Sequence, residues 1–439
     1  MTSSALRERF RKGIDGIRVI DSHEHTESLD FTPACENHLF RILCRSFIEN
    51  DLTRSGATIP RWKIAAEGSE EGWLSLRRFI GLCRNTGYLR SFLIAVRDLF
   101  GFPDKELNDQ NWESISHAVV SANRRPDWYR YVLRERANID VVLWDLPPKD
   151  PGWPNIDRTL FLPLERLDGM SDVSWHGYRQ AFAQEFGIEP RTVDDVLGAM
   201  DQAFQDMLRL GAAGVKIAAA YFRPIGFRSV APSEASRVLN MVWEDRTEAD
   251  IRAYQDFIFS QIIERCAIHS IPIQIHTGMQ AVGKGPLHNG DPMLLEETVA
   301  RHRDAQFVLL HGGYPFVENA LSLTARHPNV FLDMSWLPIL SPSAYSWTLR
   351  RCLDGLPVHK IIAWGGDAAR VEMSYGSLII AKNAITAVLA HKIETGALHE
   401  NRALDIAARI LRENARHVFR TDEIREHRLQ AVAAAESPT

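Results

Sequence analysis

Short apolar runs bounded by turn residues recur along the chain and predict eight strands, at residues 17–20, 139–144, 159–164, 215–219, 271–276, 307–310, 330–333 and 360–364. Most are apolar throughout and do not alternate, as strands covered on both faces require. Amphipathic stretches separate several of them. Thr192 and Asp195 form a capping-box pattern, apolar residues follow at Val196, Met200, Phe204 and Met207 with helical spacing, and Gly211 stands where a left-handed cap is expected. Thr247 and Asp250 repeat the device, opening a helix whose apolar face runs through Ile251, Tyr254, Ile258 and Ile262 to His269, just before the run that ends in His276. Helix, short turn and buried strand form the repeating unit of an α/β fold, here predicted as a closed parallel barrel.

Between the first two strands, residues from about 26 to 138 contain the segments SLRRFIGLCR, YLRSFLIAVRDLF and WESISHAVVSA, which read as helices. So long a stretch is no bare loop. It is expected to be a helical insertion after strand 1 within a single barrel domain spanning residues 1–439. It leaves the first strand at its carboxyl end, so Arg61, Trp62, Arg84 or Tyr88 could line a site there.

Five of the apolar runs finish in side chains that bind metals or move protons. VIDSHEH supplies His23 and His25, VKI supplies Lys216, IQIH supplies His276, VLLH supplies His311, and IIAWGGD supplies Asp367. Alternate strand residues share a face, so a His-x-His pair can bring two imidazoles to one ion from a rigid support. Asp21 could orient that strand end or one of its ligands. Glu24 should point away and is read as structural. His276 is assigned to the metal and His311 to proton transfer or transition-state stabilisation, with the reverse split also open. Asp367 can bind a divalent metal and accept a proton from water, or serve as an N-cap.

Lys216 sits inside an apolar strand, so its ammonium must meet an anion or shift its pKa. Three uses compete: contact to an anionic substrate, a carboxylated bridge between two metals, or a structural lysine. Tyr221 and Arg223 directly after this strand, and Arg370 after Asp367, would extend an anion-binding wall. Trp336 and Trp364 either wall a pocket or pack in the core.

Composition narrows the partners. Net charge is −5 with mixed signs, and the basic clusters RERFRK and RPDWYRYVLRER read as solvated helix faces, which excludes a nucleic-acid footprint. Small molecules or further copies of the chain are the expected partners. Cys35, Cys44, Cys83, Cys266 and Cys352 are scattered and odd in number without any C-x-x-C pair, against both a disulfide framework and a thiolate zinc site. The start, MTSSALRERFRK, lacks a signal-length apolar stretch, and no run of about 18 apolar residues is seen, so a cytoplasmic, membrane-free protein is expected.

Taken in order, DSHEH, VKI, IQIHTG, VLLHGGYPF, VFLD and AWGGDA resemble the amidohydrolase superfamily in its amidohydrolase-2 branch. From Lys216 onward the chain is similar to the amidohydrolase-like region at the front of nodulin/glutamine-synthetase fusion proteins. The eighth-strand motif departs from the family by reading WGGDA where S/T-D is more usual. The resemblance implies a distorted (β/α)8 TIM barrel and a divalent metal, zinc first and manganese or iron otherwise, held by His23, His25, His276 and Asp367 with His311 close by. One ion is expected, or two should Lys216 be carboxylated. It further implies a hydrolase of an amide, ester or lactone in a small carboxylate-bearing substrate, with Asp367 and His311 as catalytic groups and Lys216, Tyr221, Arg223 and Arg370 as substrate contacts. The alternatives are a metal-dependent decarboxylase of a small hydroxylated or aromatic acid, a uronate isomerase-like enzyme, and a non-catalytic binding module.

Overall fold

The computed structural model describes residues 3–27, 38–58, 70–103, 106–145, 157–281 and 285–436. Its strands are β1 (Val19–Glu24), β2 (Ile139–Trp144), β3 (Phe161–Arg166), β4 (Gly214–Ile217), β5 (Ile273–Ile275), β6 (Phe307–Leu309), β7 (Val330–Asp333) and β8 (Ile361–Ile362). They form one eight-stranded parallel sheet in chain order, the strand pattern of a nearly closed (β/α)8 barrel. Every residue of β1, β2 and β4 to β8 is buried, as the unbroken apolar runs require.

The chain divides into two compact units, Met1–Phe161 with Asp333–Arg416, and Leu162–Leu332 with His417–Thr439. In the first, β1 pairs with β2 through Val19↔Ile139, Asp21↔Val142 and Glu24↔Trp144. β1 runs on through Glu24, beyond the apolar stretch, because its polar residues are themselves buried. Several of the connecting residues are helical, including Gly87–Phe100 and Trp112–Asn123. Thr86 caps the former through its side chain, and Gly101 closes it at φ 80°. This helix lies against Val371–Glu394 so closely that a Cβ on Gly376 would collide with the Ser91 carbonyl. Helix Val371–Glu394 is long and apolar enough by mean hydropathy to cross a membrane, although polar residues interrupt it throughout, and 78 % of its apolar window is buried inside the fold. It is a core helix here, with Met373, Leu378, Ile385 and Leu389 all buried.

In the second unit β4, β5, β6 and β7 pair in parallel in even register, with Lys216 opposite Gln274 and Leu309 opposite Leu332. Both expected capping boxes are present: Thr192 with Asp195 opens Val193–Leu210, and Thr247 with Asp250 opens Glu248–Ile268. Gly211 ends the first of these helices at φ 70°. The buried face of Val193–Leu210 is Val196, Met200, Phe204 and Met207, each such side chain contributing about 1.5–3 kcal/mol on burial.

Candidate functional site

His23 and His25 stand at the carboxyl end of β1, Asp145 follows β2 and Asp367 follows β8, all in the first unit. His23 Nε2 lies 3.7 Å from Asp145 Oδ2 and 3.6 Å from Asp367 Oδ1; His25 Nε2 lies 3.7 Å and 3.1 Å from the same two oxygens. An ion bound tetrahedrally with bonds of about 2.1 Å separates its donor atoms by about 3.4 Å, so this spacing fits a divalent metal. Donor atoms of His23, His25 and Asp145 all lie within 4.8 Å of one another.

The tautomer of His25 strengthens the fit. Its Nδ1 is 3.1 Å from the Asp145 carbonyl oxygen. A carbonyl can only accept, so Nδ1 carries the proton and the neutral ring keeps its lone pair on Nε2. That lone pair faces two carboxylate oxygens, an arrangement that is repulsive until a cation or a second proton lies between them.

Behind these groups β1 holds the loop after β8. Three successive backbone N–H groups donate into it: Gly366 to Asp21 Oδ1 (2.9 Å), Asp367 to the His23 carbonyl (2.7 Å) and Ala368 to Glu24 Oε1 (2.6 Å). Asp21 Oδ1 also accepts from His23 N–H (3.2 Å), the orienting role expected of it. Glu24, read from the sequence as structural, accepts from His25 N–H (2.8 Å) and from Ser374 Oγ (2.5 Å) as well. Burial pushes the Asp21 carboxyl up to about 7, and burial with repulsion from Asp21 pushes Glu24 well above the carboxylate range.

In the second unit His276 follows β5 and His311 follows β6, both buried. His311 Nε2 is 3.0 Å from His276 Nδ1, and His276 Nε2 is 2.8 Å from the Met279 carbonyl. Since that carbonyl only accepts, His276 carries its proton on Nε2 and receives a hydrogen bond from His311 on Nδ1. The Tyr221 ring packs 4.7 Å from that of His276. Lys216 is buried within β4.

The other expected groups fall as follows. Arg223 is buried with Nη2 on Asp256 Oδ1 (2.5 Å) and the Gly226 carbonyl (2.7 Å), and Nε on the Pro224 carbonyl (2.9 Å), which favours an internal tie over a substrate contact. Burial draws its pKa down although Asp256 opposes this. Arg370 is buried and donates to Asn123 Oδ1 (3.4 Å). Trp364 is a core residue bonded to Ser377 Oγ (3.2 Å). Trp336 stacks on Phe47 at 4.8 Å, and Phe47 on the buried Tyr88 at 5.5 Å, so Tyr88 faces an aromatic column. Arg84 is exposed beside Glu106; Arg61, Trp62 and Cys35 lie outside the described residues.

Asp145 was not anticipated. The signal lay in VVLWD, a buried run ending in a carboxylate like the eighth, but the following Leu-Pro-Pro reads as an ordinary turn. A backbone mark accompanies the chemistry: His311 (φ 63°), Trp336 (φ 64°) and Asp367 (φ 48°), just beyond β6, β7 and β8, adopt the left-handed region. Such strain in non-glycine residues, about 1–3 kcal/mol each, concentrates at functional sites.

A family model described as Amidohydrolase matches residues 168–421, more than half of the chain. The chain belongs to the amidohydrolase family. This amidohydrolase is 28 % identical over 156 residues to the protein fluG of Emericella nidulans, a match covering 35 % of this chain and 18 % of that relative. The chain therefore spans less than a fifth of the curated relative's length. Among solved structures it is similar to the uronate isomerase of Thermotoga maritima (TM-score 0.77, 14 % identity, 94 % of this chain and 97 % of that one). It is also similar to the glucuronate isomerase of Caulobacter crescentus (TM-score 0.78, 15 % identity, 96 % and 95 %). At such identities these likenesses establish the barrel fold alone and leave the reaction open.

Proposed function

We propose that this amidohydrolase is a metal-dependent hydrolase that cleaves an amide, ester or lactone in a small carboxylate-bearing substrate. The observation that carries the reading is the His25 imidazole, whose tautomer is set by the Asp145 carbonyl so that its lone pair meets the Asp145 and Asp367 carboxylates. His23 Nε2 and His25 Nε2 with those two carboxylates would hold the ion, most simply one zinc, with manganese or iron meeting the same donors. When bound, a divalent ion supplies Lewis acidity, making water more acidic and a carbonyl more electrophilic.

The protein's own groups then divide the work. Asp367 accepts a proton from the attacking water, held in its left-handed conformation by the Asp367 N–H bond to the His23 carbonyl. The His276–His311 pair is suited to moving a proton, because His276 Nδ1 accepts from His311 Nε2 and can take up that proton while His276 keeps its own on Nε2. In this proposal His311 protonates or stabilises the developing oxyanion, and Lys216 meets a substrate carboxylate. The part of His276 as a further ligand is tested separately below.

A second reading, sugar-acid isomerisation, draws support from the fold likeness to two uronate isomerases over almost the whole chain. Mass spectrometry in 18O-labelled water separates the alternatives on a panel of lactones, N-acyl amino acids, hydroxylated aromatic acids and uronates. Hydrolysis puts one solvent oxygen into the product carboxylate, isomerisation interconverts aldose and ketose at constant mass, and decarboxylation releases carbon dioxide. Turnover of the uronates alone would sink the hydrolase reading.

A further inference from the structure

Beyond its ligands, β1 carries a second set of groups aimed at the loop that bears Asp367. The segment Asp21-Ser22-His23-Glu24-His25 interleaves two functions: His23 and His25 face the carboxylates of Asp145 and Asp367, while Asp21, the His23 carbonyl and Glu24 accept the N–H groups of Gly366, Asp367 and Ala368 in turn. Glu24 reaches further, to the His25 N–H and to Ser374 Oγ on the helix that follows. It thus joins the backbone of His25, the backbone beside Asp367 and the start of the next helix. These ties surround Asp367, which sits at φ 48° in the left-handed region that costs energy for a residue with a side chain.

The same contacts account for the Gly-Gly step before Asp367. A Cβ on Gly366 would collide with Glu24 Oε2 and come within 3.0 Å of Asp21 Oδ2. A Cβ on Gly365 would come within 2.7 Å of Ser22 Oγ and 2.8 Å of the His23 nitrogen. The space that a Ser or Thr side chain would fill is taken by the carboxyl groups of β1, so WGGDA and DSHEH are two halves of one device.

We infer that Glu24 is a positioning residue that fixes the carboxylate of Asp367 against His25 for metal binding, with Gly366 left bare to admit it. The inference rests on the reading of His23, His25 and Asp367 as ligands of one ion. It is tested by titrating metal-free protein with Co2+, reading the dissociation constant and the visible absorption band, with near-UV circular dichroism reporting the fold. Glu24→Ala should weaken Co2+ binding by about 10–100-fold and alter the band, as loss of an outer partner of a ligand does. Glu24→Gln, which keeps an acceptor for Ala368 N–H, should recover most of the affinity. A folded Glu24→Ala protein with the affinity and spectrum of the parent would overturn the inference.

Asp367→Asn serves as the control that separates the two claims. Loss of Co2+ in Asp367→Asn with full retention in Glu24→Ala rejects the positioning role alone, whereas retention in both rejects the ligand set itself. Should Glu24→Ala fail to fold, Gly366→Ala keeps both carboxyls but drives the loop off Glu24. It should show the same loss of affinity, and unchanged Co2+ binding in that variant overturns the inference equally.

Discussion

Two pairs of imidazoles stand at strand ends in this chain, and what faces their nitrogens differs. His23 and His25 present Nε2 to the oxygens of Asp145 and Asp367 at 3.1–3.7 Å, with a backbone carbonyl fixing the tautomer of His25. His276 and His311 present their nitrogens to each other at 3.0 Å, with a backbone carbonyl fixing the tautomer of His276. A carbonyl sets the proton in both pairs. The remaining lone pair of His25 meets negative charge and that of His276 an N–H donor, so the first arrangement calls for a cation while in the second one ring already satisfies the other. Residue type alone does not distinguish a ligand from a proton carrier; the partner of the second nitrogen does.

The largest effect that could break this contrast is on metal content. His23→Ala should lose metal by a factor of about 1000 or more, while His311→Ala keeps it within a few-fold and loses turnover. His276→Ala decides whether that ring is also a ligand, and equal metal loss in all three variants by elemental analysis would erase the distinction between the pairs. Next, Asp256→Ala should cost about 3–5 kcal/mol in urea unfolding, because it strands the buried Arg223 guanidinium, yet leave metal content unchanged. Loss of metal in that variant would mean that Arg223 serves the site after all.

Asp145→Asn should weaken metal binding by about 10–100-fold in a Co2+ titration, since the amide keeps one neutral oxygen donor but surrenders the charge. An unaffected titration would leave Asp145 only the role its carbonyl plays toward His25. The smallest expected effect is a control on the other kind of buried charge in the first unit. Burial draws the ammonium of Lys382 down to about 8 from an ordinary 10.5. Below pH 8 the lysine is charged in both native and unfolded chains and its desolvation cost is fully felt. Between about 8 and 10.5 the unfolded chain keeps a proton that the native state has released, so stability rises with pH in that window. Lys382→Met should therefore stabilise the protein by about 1–3 kcal/mol at pH 7 and flatten the rise, as measured by urea unfolding at pH 7 and pH 10.

Most of the barrel was legible because two-sided burial leaves an apolar run with no alternation to misread, and β2 and β7 appear at the residues expected of them. Both helix starts were legible for a local reason: Thr and Asp three apart close reciprocal hydrogen bonds that need no tertiary context. β1 was misjudged at its end. Its last residues are Asp, Ser, His and Glu, polar by type and buried in fact, so hydrophobicity stopped where the strand did not. Glu24 was assigned to the far side by alternation, which says where a side chain starts and nothing of the loop N–H groups that reach it. Arg223 shows the converse: a cation after a barrel strand looks like a substrate contact until Asp256, 33 residues later in the sequence, is found against it.

The close approach at Gly376 has a consequence for how the molecule comes apart. With Ser91 against the backbone of that glycine, the helix from the segment after β1 has no room to slide or swing on the helix after β8. The two should exchange their amide hydrogens together, in one cooperative opening, so a helix that interrupts the strand order in sequence melts as part of the barrel.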